Sequence, residues 1–152
     1  MNVVEESDGK LNGLQQLQAL IASGRRPPIA DTLDFNLIEI EEGRAVFAGT
    51  PGRHAYNPLG SVHGGYAATL LDSACGCAVH SCLKPDQAYT TLELKIAYHR
   101  AMTIETGPVR AEAKVITMGR RVAFTEGRIT DAEGKVYASA TSTLILMEKR
   151  KP

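Results

Sequence analysis

The chain has 152 residues, of which 43% are hydrophobic and 22% charged. That is the make-up of one ordinary globular chain with room for a sizeable core. Seventeen basic and seventeen acidic residues cancel, which argues against a nucleic-acid module, because such modules carry a clustered basic excess. The acidic N-terminus lacks the apolar stretch of a signal peptide and no apolar run approaches bilayer length, so a cytoplasmic protein without a membrane partner is expected.

Residues 1–9 read as a frayed tail. Over 10–23, Leu11, Leu14, Leu17, Leu20 and Ile21 recur at helical spacing and Gly24 offers a stop, which predicts an amphipathic helix. Arg25-Arg26-Pro27-Pro28 then predicts a short extended linker. The pattern becomes strand-like over 35–40, turns at Glu41-Glu42-Gly43-Arg44 and returns as a strand over 45–50. Pro51-Gly52 breaks it, and a loop over 51–62 delivers the chain to His63.

The next segment, 66–83, is apolar almost all round, and Asp72 is its single formally charged residue. Such a helix belongs inside a protein, where a carboxylate is rare unless paired or functional. Gly64 and Gly65 stand just upstream, where a helix start leaves N–H groups open and favours negative charge. An anion-binding turn followed by a lone interior acid suits acyl chemistry. Cys75, Cys77 and Cys82 all fall on this helix; their odd number argues against a disulfide framework. Cys75 and Cys77 point apart on a helix, so small core fillers are expected rather than metal ligands.

After a loop over 84–87, the rest is almost all strand. Over 89–98, Leu92, Leu94, Ile96 and Tyr98 alternate with Thr91, Glu93, Lys95 and Ala97, and over 109–117, Val109, Ala111, Ala113 and Val115 alternate with Arg110, Glu112 and Lys114, which predicts two strands. Met118-Gly119-Arg120 predicts a turn into a strand over 121–130, and Asp131-Ala132-Glu133-Gly134 a hairpin into a strand over 135–147. The expected organisation is a tail and amphipathic helix over 1–29, followed by one domain over 30–152. Its class is α+β: a meander of long antiparallel strands wrapped around a central apolar helix. There is no Gly-x-Ser-x-Gly elbow, phosphate-cradling loop, dinucleotide fingerprint or metal-ligand cluster in the sequence. Neither a cofactor nor a metal is expected.

The run Asn57-x-x-Gly60-x-x-His63-Gly64-Gly65-x-x-x-x-Leu70-x-Asp72, followed by Thr91-Leu92-Glu93-Leu94-Lys95-Ile96-Ala97-Tyr98, resembles the hotdog-fold acyl-CoA thioesterases of the PaaI type. The resemblance covers about residues 30–147 and leaves the helix over 10–23 outside. It implies that Gly64 presents its N–H to the thioester carbonyl and that Asp72 is general base or, less often, nucleophile. Asn57 and His63 would orient water or carbonyl, Thr91 would assist the water, and Arg120 and Arg121 would contact CoA phosphates. Gly65 and Tyr66 are taken with the arginines as substrate-binding residues, and Leu70, Tyr98 and Phe124 as further candidates to line an acyl groove.

The chemistry fits those residue types. A tetrahedral oxyanion is stabilised by preorganised N–H donors, glycine lets a ligand approach the backbone, and a carboxylate in an apolar setting is an apt base. Asp72 stands eight residues beyond Gly64, about 12 Å along a helix axis, too far for both to meet one carbonyl. A two-fold homodimer in which Gly64 of one chain faces Asp72 of the other is therefore expected, with pairing into a dimer-of-dimers tetramer as the further assembly among similar proteins. The plainer readings are a structural acid at Asp72, a helix cap at His63 and a solvated turn at Arg120-Arg121. Rival functions are a non-catalytic acyl-CoA-binding module on the same fold, a hydratase, for which the spaced Asp/His pair of similar folds is missing, and a structural protein without ligand.

Overall fold

The computed structural model describes residues 9–149, and the remainder of both expected tails lies outside the described residues. Helix α1 spans Gly13–Ser23 and starts on a capping box. The Asn12 side chain accepts the Gln15 N–H at 2.9 Å, and the Gln15 side chain accepts the Asn12 N–H at 3.0 Å. Gly24, at φ 65°, ends the helix in the left-handed conformation that glycine tolerates.

The expected extended linker is corrected at its end. Pro28 opens a short helix α2, Pro28–Leu33, because proline at the first helical position has the right φ and lacks only an N–H that would be unpaired there. Arg26 ties this turn down through Asp31 at 2.8 Å and Asp34 at 3.0 Å.

Six strands follow the expected boundaries to within two residues: β1 Phe35–Glu41, β2 Arg44–Gly49, β3 Gln87–Tyr98, β4 Val109–Met118, β5 Val122–Asp131 and β6 Val136–Glu148. They form one antiparallel sheet in the order β1-β2-β4-β5-β6-β3. The simple meander is thus corrected at β3, which does not pair with β4. The segment 99–108, with a 3₁₀ turn at Ile104–Thr106, is long enough to carry the chain across the sheet, so β3 pairs with β6 instead and becomes an edge.

Helix α3, Gly64–His80, lies against the concave face of the sheet. Tyr66, Ala67, Leu70, Leu71, Ala74, Cys75, Ala78 and Val79 are buried; each large aliphatic among them contributes about 2 kcal/mol. They meet Ala111, Ala113, Ile129, Ala138 and Ala140 from β4, β5 and β6. Small residues on the sheet let the helix settle close. Beyond the C-terminal end of α3, the Gly13 N–H of α1 donates to the Leu83 carbonyl at 2.9 Å. On the far face of the sheet Glu39 accepts from Arg44 at 2.8 Å and Arg110 at 2.5 Å, joining β1, β2 and β4.

A bulge at Leu92 interrupts the pairing of β3, between Thr91 opposite Leu144 and Glu93 opposite Thr143. Side chains alternate along a strand, so a single extra residue reverses the faces beyond it. Thr91 and Tyr98 are seven residues apart, an odd number, yet both reach α3. The bulge is the reason.

Candidate active site on the open flank of the central helix

The loop before α3 is organised by Asn57. Its side-chain oxygen accepts the N–H groups of Leu59 at 2.9 Å and Ser61 at 3.3 Å, and its amide donates to Ser61 Oγ at 3.1 Å. That turn sends Val62 to the Met102 carbonyl and His63 to the Ala55 carbonyl. Asn57 therefore shapes the approach to the helix, and its oxygen is engaged in the loop rather than turned toward a substrate.

His63 is the N-cap of α3: its Nδ1 accepts the Gly65 N–H at 2.8 Å, which leaves the proton of the neutral ring on Nε2. The Gly65 N–H is thus already satisfied. The Gly64 N–H has no acceptor among the described residues, as the first N–H of a helix normally lacks one. Of the two neighbouring amides expected to be open, one is. Neither glycine has a positive φ; what they provide is room. A β-carbon on Gly64 would lie 2.9 Å from Tyr98 Oη, and one on Gly65 would lie 2.9 Å from His63 Nδ1.

Asp72 lies two turns further along. Thr91 Oγ1 donates to its Oδ1 at 3.0 Å, so the acid and the hydroxyl expected to work beside it are brought together. The expected interior position of Asp72 is corrected: within one chain its side chain is exposed. Gly65 and Asp72 are exposed, and Ala68, Thr69 and Ser73 are partly so. This flank reads as apolar only because glycine and alanine carry no charge. It is made of small residues rather than of groups that demand burial.

Tyr66 and Leu70 belong to the core, at 2% and 0% exposure, while Phe124 lies on the far face of the sheet, so no groove runs through Tyr66, Leu70, Tyr98 and Phe124. Close to Gly49 the Tyr66 hydroxyl is buried with no partner among the described residues, and burial pushes its pKa up to about 12. Burial, with the charge of Asp72 adding to it, likewise holds the thiols of Cys75 and Cys77 up at about 11 and about 12, which withholds the thiolate that a cysteine nucleophile needs. Arg120 and Arg121 are exposed in the β4–β5 turn. The Arg121 carbonyl accepts the Leu146 N–H at 2.8 Å, and Leu146 pairs with Tyr89. The arginines therefore sit toward the Asp72 end of the helix.

The helix and β3 run antiparallel, with Tyr98 at Gly64, Thr91 at Asp72 and Tyr89 at Gly76. The open amide and the carboxylate are separated by eight residues of helix, about 12 Å. Each marks one end of an exposed flank beside an edge strand. A trough of about 720 Å³ on the other face of the sheet, lined by Lys95, Lys114, Arg128, Glu112 and Glu126, contains none of these groups.

Tyr98 had no role in the sequence reading beyond lining a groove. Its hydroxyl donates to the Gly64 carbonyl at 2.9 Å. The one signal that could have found it is the odd spacing from Thr91, which puts both on one face only if the strand is bulged.

A six-stranded antiparallel sheet wrapped on a central helix in the order β1-β2-β4-β5-β6-β3 is the hotdog fold. The profile of the thioesterase superfamily matches residues 59–138, from the loop before His63 to β6, and the chain belongs to that superfamily. It is 28% identical over 123 residues, 81% of this chain and 98% of the relative, to a 1,4-dihydroxy-2-naphthoyl-CoA hydrolase of Listeria monocytogenes. Among solved structures it resembles the phenylacetic acid degradation protein PaaI of Thermus thermophilus, with 27% identity and a TM-score of 0.71 over 78% of this chain and 98% of the other. It shares its fold with a Streptococcus pneumoniae protein solved with coenzyme A, with 24% identity and a TM-score of 0.70 over 80% of this chain and 92% of the other. Among the described residues no helix is long and apolar enough to cross a membrane.

Proposed function

We propose that the protein hydrolyses acyl-CoA thioesters in sites shared between two copies of the chain. The observation that carries this reading is the pair of half-sites on one helix flank: Asp72 held by Thr91 at one end and the unpaired Gly64 N–H at the other. Both lie beside β3, an edge whose outer row of backbone groups is open to a second strand. Antiparallel self-pairing of β3 about a two-fold axis near Lys95 sets Thr91 of one strand against Tyr98 of the partner subunit, because the bulge at Leu92 keeps both on the helix face. The carboxylate of one chain then faces the open amide of the other, twice per dimer. The same pairing covers the Asp72 flank and removes it from bulk water.

In that site a water bound between Asp72 and Thr91 attacks the thioester carbonyl carbon, and Asp72 takes its proton. Negative charge develops on the carbonyl oxygen and is met by the Gly64 N–H of the partner subunit. A donor of this kind is worth about 3–4 kcal/mol of barrier. Collapse breaks the C–S bond, the thiolate of CoA leaves, and the proton held by Asp72 returns to the products. Arg120 and Arg121, exposed in the β4–β5 turn, would meet the CoA phosphates, since guanidinium forks match phosphate oxygens. The chemistry needs neither metal nor cofactor. His63 and Asn57 act by holding the first turn of α3 in place.

The test is release of free CoA across short, medium, long and aryl acyl-CoAs, for the wild type and Asp72→Asn. A thioester cleaved at least a hundredfold faster by the wild type supports the reading, and equal rates discard it in favour of a non-catalytic acyl-CoA-binding module. Mixing inactive Gly64→Pro and Asp72→Asn chains should restore activity, since one of the two sites in each mixed dimer is whole. An active isolated monomer would discard the shared site.

A further inference from the structure

The peptide between Gly64 and Gly65 is held at both ends by side chains from different parts of the chain. Its carbonyl accepts the Tyr98 hydroxyl at 2.9 Å, and its N–H is accepted by His63 Nδ1 at 2.8 Å. Two consecutive glycines would otherwise be the loosest point of the helix, because glycine has the most backbone freedom to lose. The neighbouring peptide carries the open Gly64 N–H. The carbonyl of that peptide, His63 C=O, accepts the Tyr66 N–H at 3.0 Å; with the planes on both sides of the Gly64 α-carbon held, its two torsions are set, and with them the direction of that donor. Tyr98 also comes from β3 rather than from the helix, so it ties the open amide to the strand that carries Thr91 and hence Asp72.

We propose that Tyr98 is a positioning residue for the oxyanion donor: its hydroxyl, bonded to the Gly64 carbonyl, aims the Gly64 N–H, and glycine stands at 64 to admit the tyrosine ring. The proposal rests on the hydrolytic reading given above. The space that suggests a close approach by ligand is filled within the chain, since a β-carbon on Gly64 would lie 2.9 Å from the Tyr98 hydroxyl oxygen and 3.0 Å from ring carbon Cζ. A donor already aimed needs no reorganisation as charge develops, which is the condition under which such donors lower a barrier most.

Tyr98→Phe removes the hydroxyl and keeps the ring. The expected result is a kcat about tenfold lower, from the loss of one aimed hydrogen bond, with KM within twofold and the pH profile of kcat unmoved. Hydrogen exchange at the Gly65 amide, which His63 holds, should speed up at least tenfold in the same variant, a readout that needs no substrate. Gly64→Ala should lower kcat strongly beside Tyr98 and less than twofold beside Tyr98→Ala, where the added methyl has room. A Tyr98→Phe enzyme with kcat within twofold of wild type, unchanged exchange at the Gly65 amide, or an equal effect of Gly64→Ala in both backgrounds overturns the proposal. If instead Asp72→Asn turns over like the wild type, the hydrolytic reading fails, and the exchange measurement still decides whether Tyr98 holds the glycines.

Discussion

Helix α3 starts and ends on a histidine, and the two rings live in opposite surroundings. His63 is exposed and accepts a backbone N–H two residues on. His80 is packed between elements: its Nε2 lies 2.8 Å from the Oε1 of the buried Gln16 of α1, and its ring meets Tyr89 edge-on at 5.8 Å. The first end is held by single hydrogen bonds from His63 and Tyr98 and leaves an amide unpaired. The second is roofed by a helix that lies outside the matched superfamily region. Rigidity where the chemistry is proposed comes from a few directed bonds that keep space open, and rigidity at the far end comes from burial. A substitution at the first end should therefore cost turnover, and one at the second should cost stability.

The largest effect expected is on turnover at Asp72. Asparagine keeps the shape and can still accept from Thr91, but it cannot take a proton, so kcat should fall about 10²–10⁴-fold. Because the side chain is exposed within the chain, the unfolding midpoint of a singly folded copy should move little. A large drop in Tm at unchanged oligomeric state would mean that Asp72 is a structural acid and would erase the contrast between the two ends.

At the other end the expected signature is a pH dependence of stability. Burial, followed by the charge of Lys149, pushes the pKa of His80 down from its ordinary 6.5 to about 4. The unfolded chain therefore binds a proton between those values and the folded chain does not. Stability rises with pH wherever the unfolded state holds more protons, so it should fall as pH drops from 6.5 to 4 and level off below. The depressed pKa accounts for up to about 3 kcal/mol of that loss. In His80→Gln, whose amide can still meet Gln16, the slope of unfolding free energy against pH should be shallower by about one proton in that window. An unchanged slope would show that His80 is not held neutral by its packing.

Gly13→Ala tests the roof itself. A β-carbon there would lie 1.7 Å from the His80 carbonyl oxygen, backbone that cannot yield, so α1 must shift. Overpacking of this kind costs about 1–3 kcal/mol, measured by urea denaturation, while kcat should stay within twofold. A fall in kcat equal to that of the Gly64 variants would show that the ends are coupled through the helix.

Much of this was legible in the residues. Period-two alternation gave the long strands, because each buries one face on α3, and the Asn57–Asp72 run pointed to the loop and helix on which the site is proposed. Three things were hidden for physical reasons. The edge position of β3 depends on where the 99–108 segment crosses, which local pattern does not encode. The exposure of Asp72 was masked because Gly65, Ala68 and Ser73 lend a solvent-facing flank the look of a core. The closeness of Tyr98 to Gly64 follows from a one-residue bulge that alternation alone conceals. The Pro28 helix was within reach, since proline favours a first helical position as much as it forbids an interior one.

The smallest expected effect sharpens the first end. In Gly65→Ala the new methyl would sit 2.9 Å from His63 Nδ1 and 3.3 Å from Cε1, so the imidazole must swing away and release the Gly65 N–H. Loss of an N-cap hydrogen bond costs about 0.5–2 kcal/mol, and alanine in place of glycine in the helix returns up to about 1 kcal/mol. The net change in stability should therefore be about 1 kcal/mol or less. Turnover should still fall several-fold, since outside the helix's own bonding the Gly64–Gly65 peptide is then held by Tyr98 alone. In a His63→Ala background the methyl meets nothing, so Gly65→Ala should then be neutral for kcat. If it still lowers kcat there, Gly65 is needed for contact with the substrate, and the room it leaves is not for the histidine.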